Sequence, residues 1–346
     1  MSPVLTVIIA IITLIAGFIL LIKGADAFVS GSSAIAKKLR VPPIVIGLTV
    51  VAMGTSFPEL AVSLTASMSG SNSLAVSNVT GSNLFNLLVV LGMSALFAPL
   101  AVGRNTLRSD FPFSIVCAFL LAVFGYTSKT PKDPSKGVIG MVGRLEGAVL
   151  LVLFVLFLVS TVVVALKARK QEEKTTEAQG ETGKEMPVWR CILYIVLGAV
   201  AIKFGGDFVV GDILTLPNGI EVQYGATAIA RIVGMSETLI GLTIVAMGTS
   251  LPELVTSIVA ARKNEVDMAV GNVIGSNIFN ILLILGTAAA ISPIDFIMEN
   301  LIDIAVLIAS SLLVWIFAWT KGRITRAEGC IMLSIYAGYM VYICLR

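Results

Sequence analysis

Long apolar runs, each closed by a short polar turn, dominate this chain. They fall at about residues 4–22, 42–69, 73–100, 111–126, 145–167, 189–210, 227–261, 266–291, 299–319 and 327–345. A straight helical crossing of a bilayer needs about 20 apolar residues. The pattern therefore predicts an all-α polytopic membrane protein with ten transmembrane helices and the lipid bilayer as its solvent. The runs at 42–69 and 227–261 are longer than one crossing and carry a proline and glycines inside them. Each is expected to be interrupted or strongly tilted.

The most polar stretch, KARKQEEKTTEAQGETGKEMP at 167–187, is rich in Lys, Glu, Thr and Gly. Such composition cannot bury enough apolar surface to fold, so it reads as a disordered linker. It separates a first unit, 1–166, from a second, 188–346, with five spans in each. The two units are related. Residues 44–92 align with 238–286 at a constant offset of 194 without a gap, and 27 of the 49 positions are identical. Upstream, GADAFVSG at 24–31 matches GGDFVVG at 205–211 only if a polar insert, DILTLPNGIEVQY at 212–224, is placed in the second unit. An odd number of spans per unit makes the second enter the membrane upside down, giving two inverted five-helix repeats.

Loop charge sets the expected orientation. Lys37, Lys38, Arg40, Arg104, Arg108, Arg262, Lys263, Lys321, Arg323, Arg326 and the basic part of the linker fall on one side. By the positive-inside rule that side is cytoplasmic, with both termini outside and the linker in the cytoplasm. Lys129, Lys132, Lys136 and Arg144 dissent on the outer side, where Asp295, Glu299 and Asp303 also fall. The first run has no basic residue before it and is long for a signal peptide, so it reads as a span.

Composition closes off other classes. Of 346 residues 57% are hydrophobic and 13% charged, and the net charge is only +3, which gives no footprint for nucleic acid. There is no histidine, so imidazole cannot serve as metal ligand, proton relay or catalytic base. Cys117, Cys191, Cys330 and Cys344 lie in or beside apolar runs without CxxC spacing and read as small hydrophobes. A membrane enzyme fits poorly, because Ser56 has no base partner in its motif.

The candidate chemistry lies in the duplicated segments GLTVVAMGTSFPEL at 47–60 and GLTIVAMGTSLPEL at 241–254. Each puts a glutamate, Glu59 or Glu253, inside an apolar run. An ionisable side chain such as Asp at a helix centre costs roughly 2.5–3.5 kcal/mol on insertion scales. A chain that bears this twice, at equivalent positions and without a neighbouring Lys or Arg, is using the carboxylates. Pro58 and Pro252 remove a backbone donor and open the helix at Gly54 and Gly248. The carbonyls so freed, the hydroxyls of Thr55, Ser56, Thr249 and Ser250, and the two carboxylates form an oxygen-only ligand set. Downstream, GSNLFN at 81–86 and GSNIFN at 275–280 put Ser82 with Asn86 and Ser276 with Asn280 on one helix face. Oxygen ligands select hard cations: Na⁺, Ca²⁺ or K⁺. Two carboxylates balance one Ca²⁺, whose flexible coordination suits carbonyls at irregular geometry better than Mg²⁺ would. Met53 and Met247 beside the site read as packing, Lys23 and Lys203 as snorkelling side chains, and Asp26 and Asp207 as structural.

These paired motifs, GTSFPE with GSNLFN and GTSLPE with GSNIFN, resemble the two alpha-repeats of the calcium/cation antiporter superfamily, most closely the prokaryotic sodium/calcium exchangers. The resemblance covers nearly the whole chain outside the linker and the insert. It implies ten helices with ion sites between spans two, three, seven and eight, and exchange of Na⁺ for Ca²⁺ by alternating access. It implies no cofactor beyond the transported ions. It places ion ligands at Thr55, Ser56, Glu59, Ser82 and Asn86, and at Thr249, Ser250, Glu253, Ser276 and Asn280, with the carbonyls of Ala52 and Ala246 toward sodium. Some members have Asp where this chain has Asn280, so a third carboxylate is missing here, which argues against K⁺ co-transport. A Ca²⁺/H⁺ antiporter on the same fold and a cation channel are the competing readings.

Overall fold

A computed structural model describes residues 3–68, 72–127, 138–175, 186–215, 221–235, 240, 244 and 246–345. The helices are α1 (Pro3–Leu39), α2 (Pro43–Thr55), α3 (Phe57–Met68), α4 (Asn72–Phe85), α5 (Leu91–Phe97), α6 (Phe111–Thr127), α7 (Arg144–Thr175) and α8 (Val188–Val210). They continue with α9 (Gly225–Val233), α10 (Ala246–Gly248), α11 (Leu251–Arg262), α12 (Val266–Phe279), α13 (Gly286–Ile291), α14 (Met298–Lys321) and α15 (Arg326–Leu345).

Eight spans among the described residues are long and apolar enough to cross a membrane on their own. A ninth is the broken pair α2–α3, bent by 46°. The tenth expected span, 227–261, is described in three pieces, α9, α10 and α11.

Two expected boundaries move. The first span was expected to end at 22, but α1 runs 37 residues to Leu39. Lys23 and Asp26 lower the hydropathy without breaking the helix, because the first proline after Pro3 is Pro42. The fifth continues to Thr175, so 167–175 is helical; the Ala, Lys and Glu of that stretch are strong helix formers. The rest of the expected linker, 176–185, lies outside the described residues, as do Lys129, Lys132 and Lys136. The chain is also not purely helical. β3 (Ile213–Thr215) and β4 (Glu221–Gln223) make a hairpin within the insert. Two further antiparallel ribbons, β1 (Leu100–Ala101) with β6 (Arg323–Ile324) and β2 (Val138–Val142) with β5 (Ile294–Ile297), tie the first unit to the second. Such ribbons pair loop backbone that would otherwise need water.

The inversion is visible in packing. Gly17 of α1 meets Gly205 of α8, Gly24 meets Gly198, and Gly31 meets Cys191, so the first helices of the two repeats run antiparallel. The approach is backbone to backbone: a Cβ on Gly24 would sit 2.9 Å from the Gly198 carbonyl oxygen, and one on Gly198 2.8 Å from that of Gly24. Small residues at seven-residue spacing substitute here for the hydrophobic driving force that lipid cannot provide.

Burial separates the middle of the bundle from its rim. Within their most apolar windows, Ala75–Phe97 and Val266–Ile291 are 78% buried, against 22–39% for the other long spans. The rim helices turn Ile8, Ile12, Ile15 and Ile19, or Val152, Val155 and Val159, outward to lipid. The two central spans carry the GSN motifs, so their polar side chains are kept from hydrocarbon.

Candidate functional site

The first break falls where Pro58 requires it. α2 ends at Thr55, Ser56 sits in a bend, and α3 starts at Phe57. In the second repeat Thr249 and Ser250 form the turn between α10 and α11. Each break places its glutamate in the first turn of the following helix, where the dipole favours negative charge. Gly54 and Gly248 do more than loosen these breaks. A Cβ on Gly54 would meet Phe28 of α1 at 2.8 Å, and one on Gly248 would meet Val210 of α8 at 2.1 Å, so both let the first helix of their repeat close over the site.

Glu59 and Glu253 are fully buried. Neither takes part in an ion pair among the described residues. Their hydrogen bonds cross between repeats. Ser56 donates to Glu253 Oε1 at 2.9 Å, and Ser250 donates to Glu59 Oε1 at 3.1 Å. The same residue pair, read at an offset of 194, is used twice in opposite directions, so a pseudo-twofold axis passes between the carboxylates.

The GSN helices cross on that axis. Asn83 Nδ2 donates to the Asn277 carbonyl at 3.2 Å, and Asn277 Nδ2 to the Asn83 carbonyl at 3.3 Å. Within each repeat, Asn78 Nδ2 reaches Ser63 Oγ at 3.0 Å and Asn272 Nδ2 reaches Ser257 Oγ at 2.9 Å. Asn272 also accepts from Thr55 Oγ1 at 3.2 Å, joining the second repeat to the first break. π-helical segments open directly at Asn86 (Asn86–Val90) and Asn280 (Asn280–Leu285), a distortion that recurs at functional sites.

The motif residues of both repeats carry buried polar atoms with no hydrogen-bond partner. They are Glu59 Oε2, Glu253 Oε2, Ser82 Oγ, Ser276 Oγ, both amide atoms of Asn86, Asn280 Oδ1 and Asn277 Oδ1. Each such atom costs about 1–3 kcal/mol if nothing satisfies it, more for a charged one. Protein interiors do not gather so many by accident. Most are oxygens, and a desolvated cation satisfies several at once. Among the described residues no cluster of three His, Cys, Asp or Glu exists, so such an ion would be held by two carboxylates and neutral oxygens.

The structure thus brings Ser56 to Glu253, Ser250 to Glu59, Thr55 to Asn272 and Asn280 to Asn83, while Ser82, Ser276 and Asn86 are buried on the two central spans. Thr249 lies on its turn, with Ala246 opening α10. Ala52 is buried, and its carbonyl accepts from Ser56 N at 3.0 Å. Asp26 is structural as expected, pairing with Lys263 at 2.7 Å; Lys203 does not simply snorkel but pairs with Asp207 at 2.6 Å. Sequence reasoning passed over Asn78, Asn83, Asn272, Asn277, Ser63 and Ser257. Their signal was present, since each is identical in the two aligned copies.

Twofold-related inverted repeats, broken helices at the crossing and an oxygen-rich site on the pseudo-axis define an inverted-repeat secondary cation transporter. Comparison with known proteins narrows this. Residues 9–163 and 191–345 match the family described as sodium/calcium exchanger protein, and the chain belongs to that family. It is 40% identical over 316 residues to CaxA of Alkalimonas amylolytica, covering 90% of this chain and 91% of that protein. It is 31% identical over 341 residues to the sodium/calcium exchanger MaX1 of Methanosarcina acetivorans, covering 90% and 92%. Among solved structures, the sodium-calcium exchanger NCX_Mj soaked with Na⁺ and Sr²⁺ superposes with a TM-score of 0.77 at 32% identity, covering 97% of this chain and 98% of that one.

Proposed function

We propose that this protein is a secondary-active antiporter of the cytoplasmic membrane that exchanges Na⁺ for Ca²⁺ by alternating access and carries net charge in each cycle. One observation carries the reading. Two buried glutamates from inverted repeats are cross-bonded by Ser56 and Ser250 across the pseudo-axis, and the motif residues of both repeats carry buried, unpartnered oxygens.

In this reading Glu59 and Glu253 neutralise Ca²⁺. Thr55, Thr249, Ser82, Ser276, Asn86, Asn280 and the carbonyls of Ala52 and Ala246 complete the sites for Ca²⁺ and Na⁺. Ser56 and Ser250 orient the carboxylates. The units 1–166 and 188–346 move as inverted repeats joined by the segment 167–187. Both termini lie outside, with that segment in the cytoplasm, as the basic loops support.

Na⁺-loaded proteoliposomes are expected to take up radiolabelled calcium in Na⁺-free medium, and an imposed potential to change the rate. Asn86→Ala and Asn280→Ala are expected to raise the KM for calcium. Uptake driven by a pH gradient without sodium would replace Na⁺ by H⁺ as coupling ion. Single-channel currents would replace the carrier by a channel. Labelling of the exposed Cys344 by an impermeant maleimide on intact cells, in a Cys330→Ser background because Cys330 at the other end of α15 is exposed too, tests the orientation.

A further inference from the structure

The sequence around the axis is symmetric, but its hydrogen bonds are not. Asn83 and Asn277 spend their amide donors on each other's backbone, in equivalent bonds of 3.2 and 3.3 Å. That leaves each with a carboxamide oxygen able to accept a further bond. Asn83 Oδ1 is engaged: Asn280 Nδ2 donates to it at 3.0 Å. The symmetry-equivalent bond, Asn86 Nδ2 to Asn277 Oδ1, is not made. Both of those atoms, and Asn86 Oδ1, are buried with no partner. Asn280 therefore has its Nδ2 pinned and its Oδ1 held in a fixed direction, as an ion ligand requires. Asn86 is unheld.

We propose that Asn83 and Asn277 are positioning residues that act in turn, so that passage between the two facing states exchanges an Asn83–Asn280 hydrogen bond for an Asn277–Asn86 one. Asn83 orients the ligand oxygen of Asn280 when the site faces one side; Asn277 orients that of Asn86 when it faces the other. This inference rests on Asn86 and Asn280 being ion ligands. Its physical basis is that an asymmetric network on two equivalent sequences has a mirror arrangement of comparable energy. In an inverted repeat the mirror arrangement is the one that faces the opposite side. The π-helical segments opening at Asn86 and at Asn280 supply the local slack. One residue more than an α-turn holds lets each asparagine shift while the helix beyond it stays packed.

The test uses Asn83→Ala, Asn277→Ala and the double variant of the full chain in right-side-out and inside-out vesicles. The KM for calcium and the maximal rate are measured at each face. Each single variant is expected to raise KM at one face by about threefold or more, the size of one neutral hydrogen bond, with the two variants acting at opposite faces. The double variant is expected to lose that sidedness. Equal shifts at both faces, or a loss of rate without a sided KM, overturn the proposal, since a structural role would produce those. Should the alanine variants fail to assemble, a structure of the wild-type protein trapped in the opposite-facing state decides. Asn86 Nδ2 is expected within about 3.2 Å of Asn277 Oδ1; Asn280 still bonded to Asn83 overturns the exchange. Asn86→Ala and Asn280→Ala in the same vesicles separate the two failures. If they leave KM unchanged at both faces, the ligand assignment falls. If they raise it while the 83 and 277 variants show no sidedness, only the exchange falls.

Discussion

Replacing Glu253 by Gln should make the ion-free protein more stable while removing its response to calcium. Gln keeps the volume of Glu and keeps an oxygen to accept the 2.9 Å bond from Ser56. What disappears is one charge on a fully buried side chain whose second oxygen has no partner. A carboxylate at the centre of a membrane helix costs about 2.5–3.5 kcal/mol, and the new amide needs an acceptor, which Glu59 can supply; the net gain should be on the order of 1–3 kcal/mol. Calcium acts in the opposite sense. A ligand at one hundred times its Kd stabilises the wild-type protein by about 2.7 kcal/mol, and a site that has lost half its charge takes little of this. Purified wild type and Glu253→Gln would be melted in detergent, with and without calcium, following the intrinsic tryptophans. The expected outcome is a crossing: the variant melts higher without ions, and the wild type gains on it as calcium is added. A variant that melts lower than wild type without ions yet shows a wild-type calcium shift would refute the reasoning. Glu253 would then be a structural acid whose charge is satisfied elsewhere.

Asn272→Ala frees both Thr55 and Ser257 from their 3.2 and 2.9 Å bonds, and should raise the KM for calcium several-fold without abolishing exchange, as transport assays would show. Gly198→Leu should lower the apparent Tm sharply and reduce yield of monodisperse protein, because even a Cβ there meets the Gly24 carbonyl at 2.8 Å. Lys263→Ala removes an ion pair whose side chains are 31% and 58% exposed, and should change stability in thermal melts by less than about 1 kcal/mol.

How much was legible beforehand follows from which forces act locally. Apolar runs report the spans, because each must face lipid or protein over its whole length. Pro58 reports its own helix break, because the missing donor is a property of one residue. The 194-residue offset reports the inversion, since five spans per unit force it. What hydropathy does not encode is which repeat's groups meet across the axis. The bonds Ser56–Glu253 and Ser250–Glu59 are relations between units, and only the assembled bundle displays them. The helix ends at Leu39 and Thr175 escaped for another reason. Lys, Glu and Ala lower hydropathy while favouring helix, so the membrane signal stops before the secondary structure does. Asn78, Asn83, Asn272 and Asn277 carry no charge and break no helix, so neither insertion cost nor helix-breaking marks them. Identity between the two copies would have pointed to them.

The site also explains why the chain would exchange ions instead of leaking them. Two buried carboxylates, with no Lys or Arg partner among the described residues, make the empty site a place where negative charge is costly at mid-membrane. Carrying that site across the membrane empty is penalised by desolvation and by the unpartnered amides and hydroxyls around it. One Ca²⁺ cancels both charges and satisfies several of those oxygens, so the loaded crossing is the easy one. On the proposed ligand assignment Na⁺ would reach the same relief only by filling more than one position, and would use the same carboxylates. The two cations therefore exclude each other, and neither can be left behind without restoring the penalty. A further consequence concerns voltage. A calcium-loaded site with two glutamates is neutral, and moving one net charge through the field is worth about 2.3 kcal/mol per 100 mV. Calcium-for-calcium exchange should therefore be insensitive to an imposed potential, while sodium-for-calcium exchange should follow it. If calcium self-exchange in proteoliposomes responded to potential as strongly as sodium-driven uptake, the charge at the crossing would not be that of Glu59 and Glu253 alone.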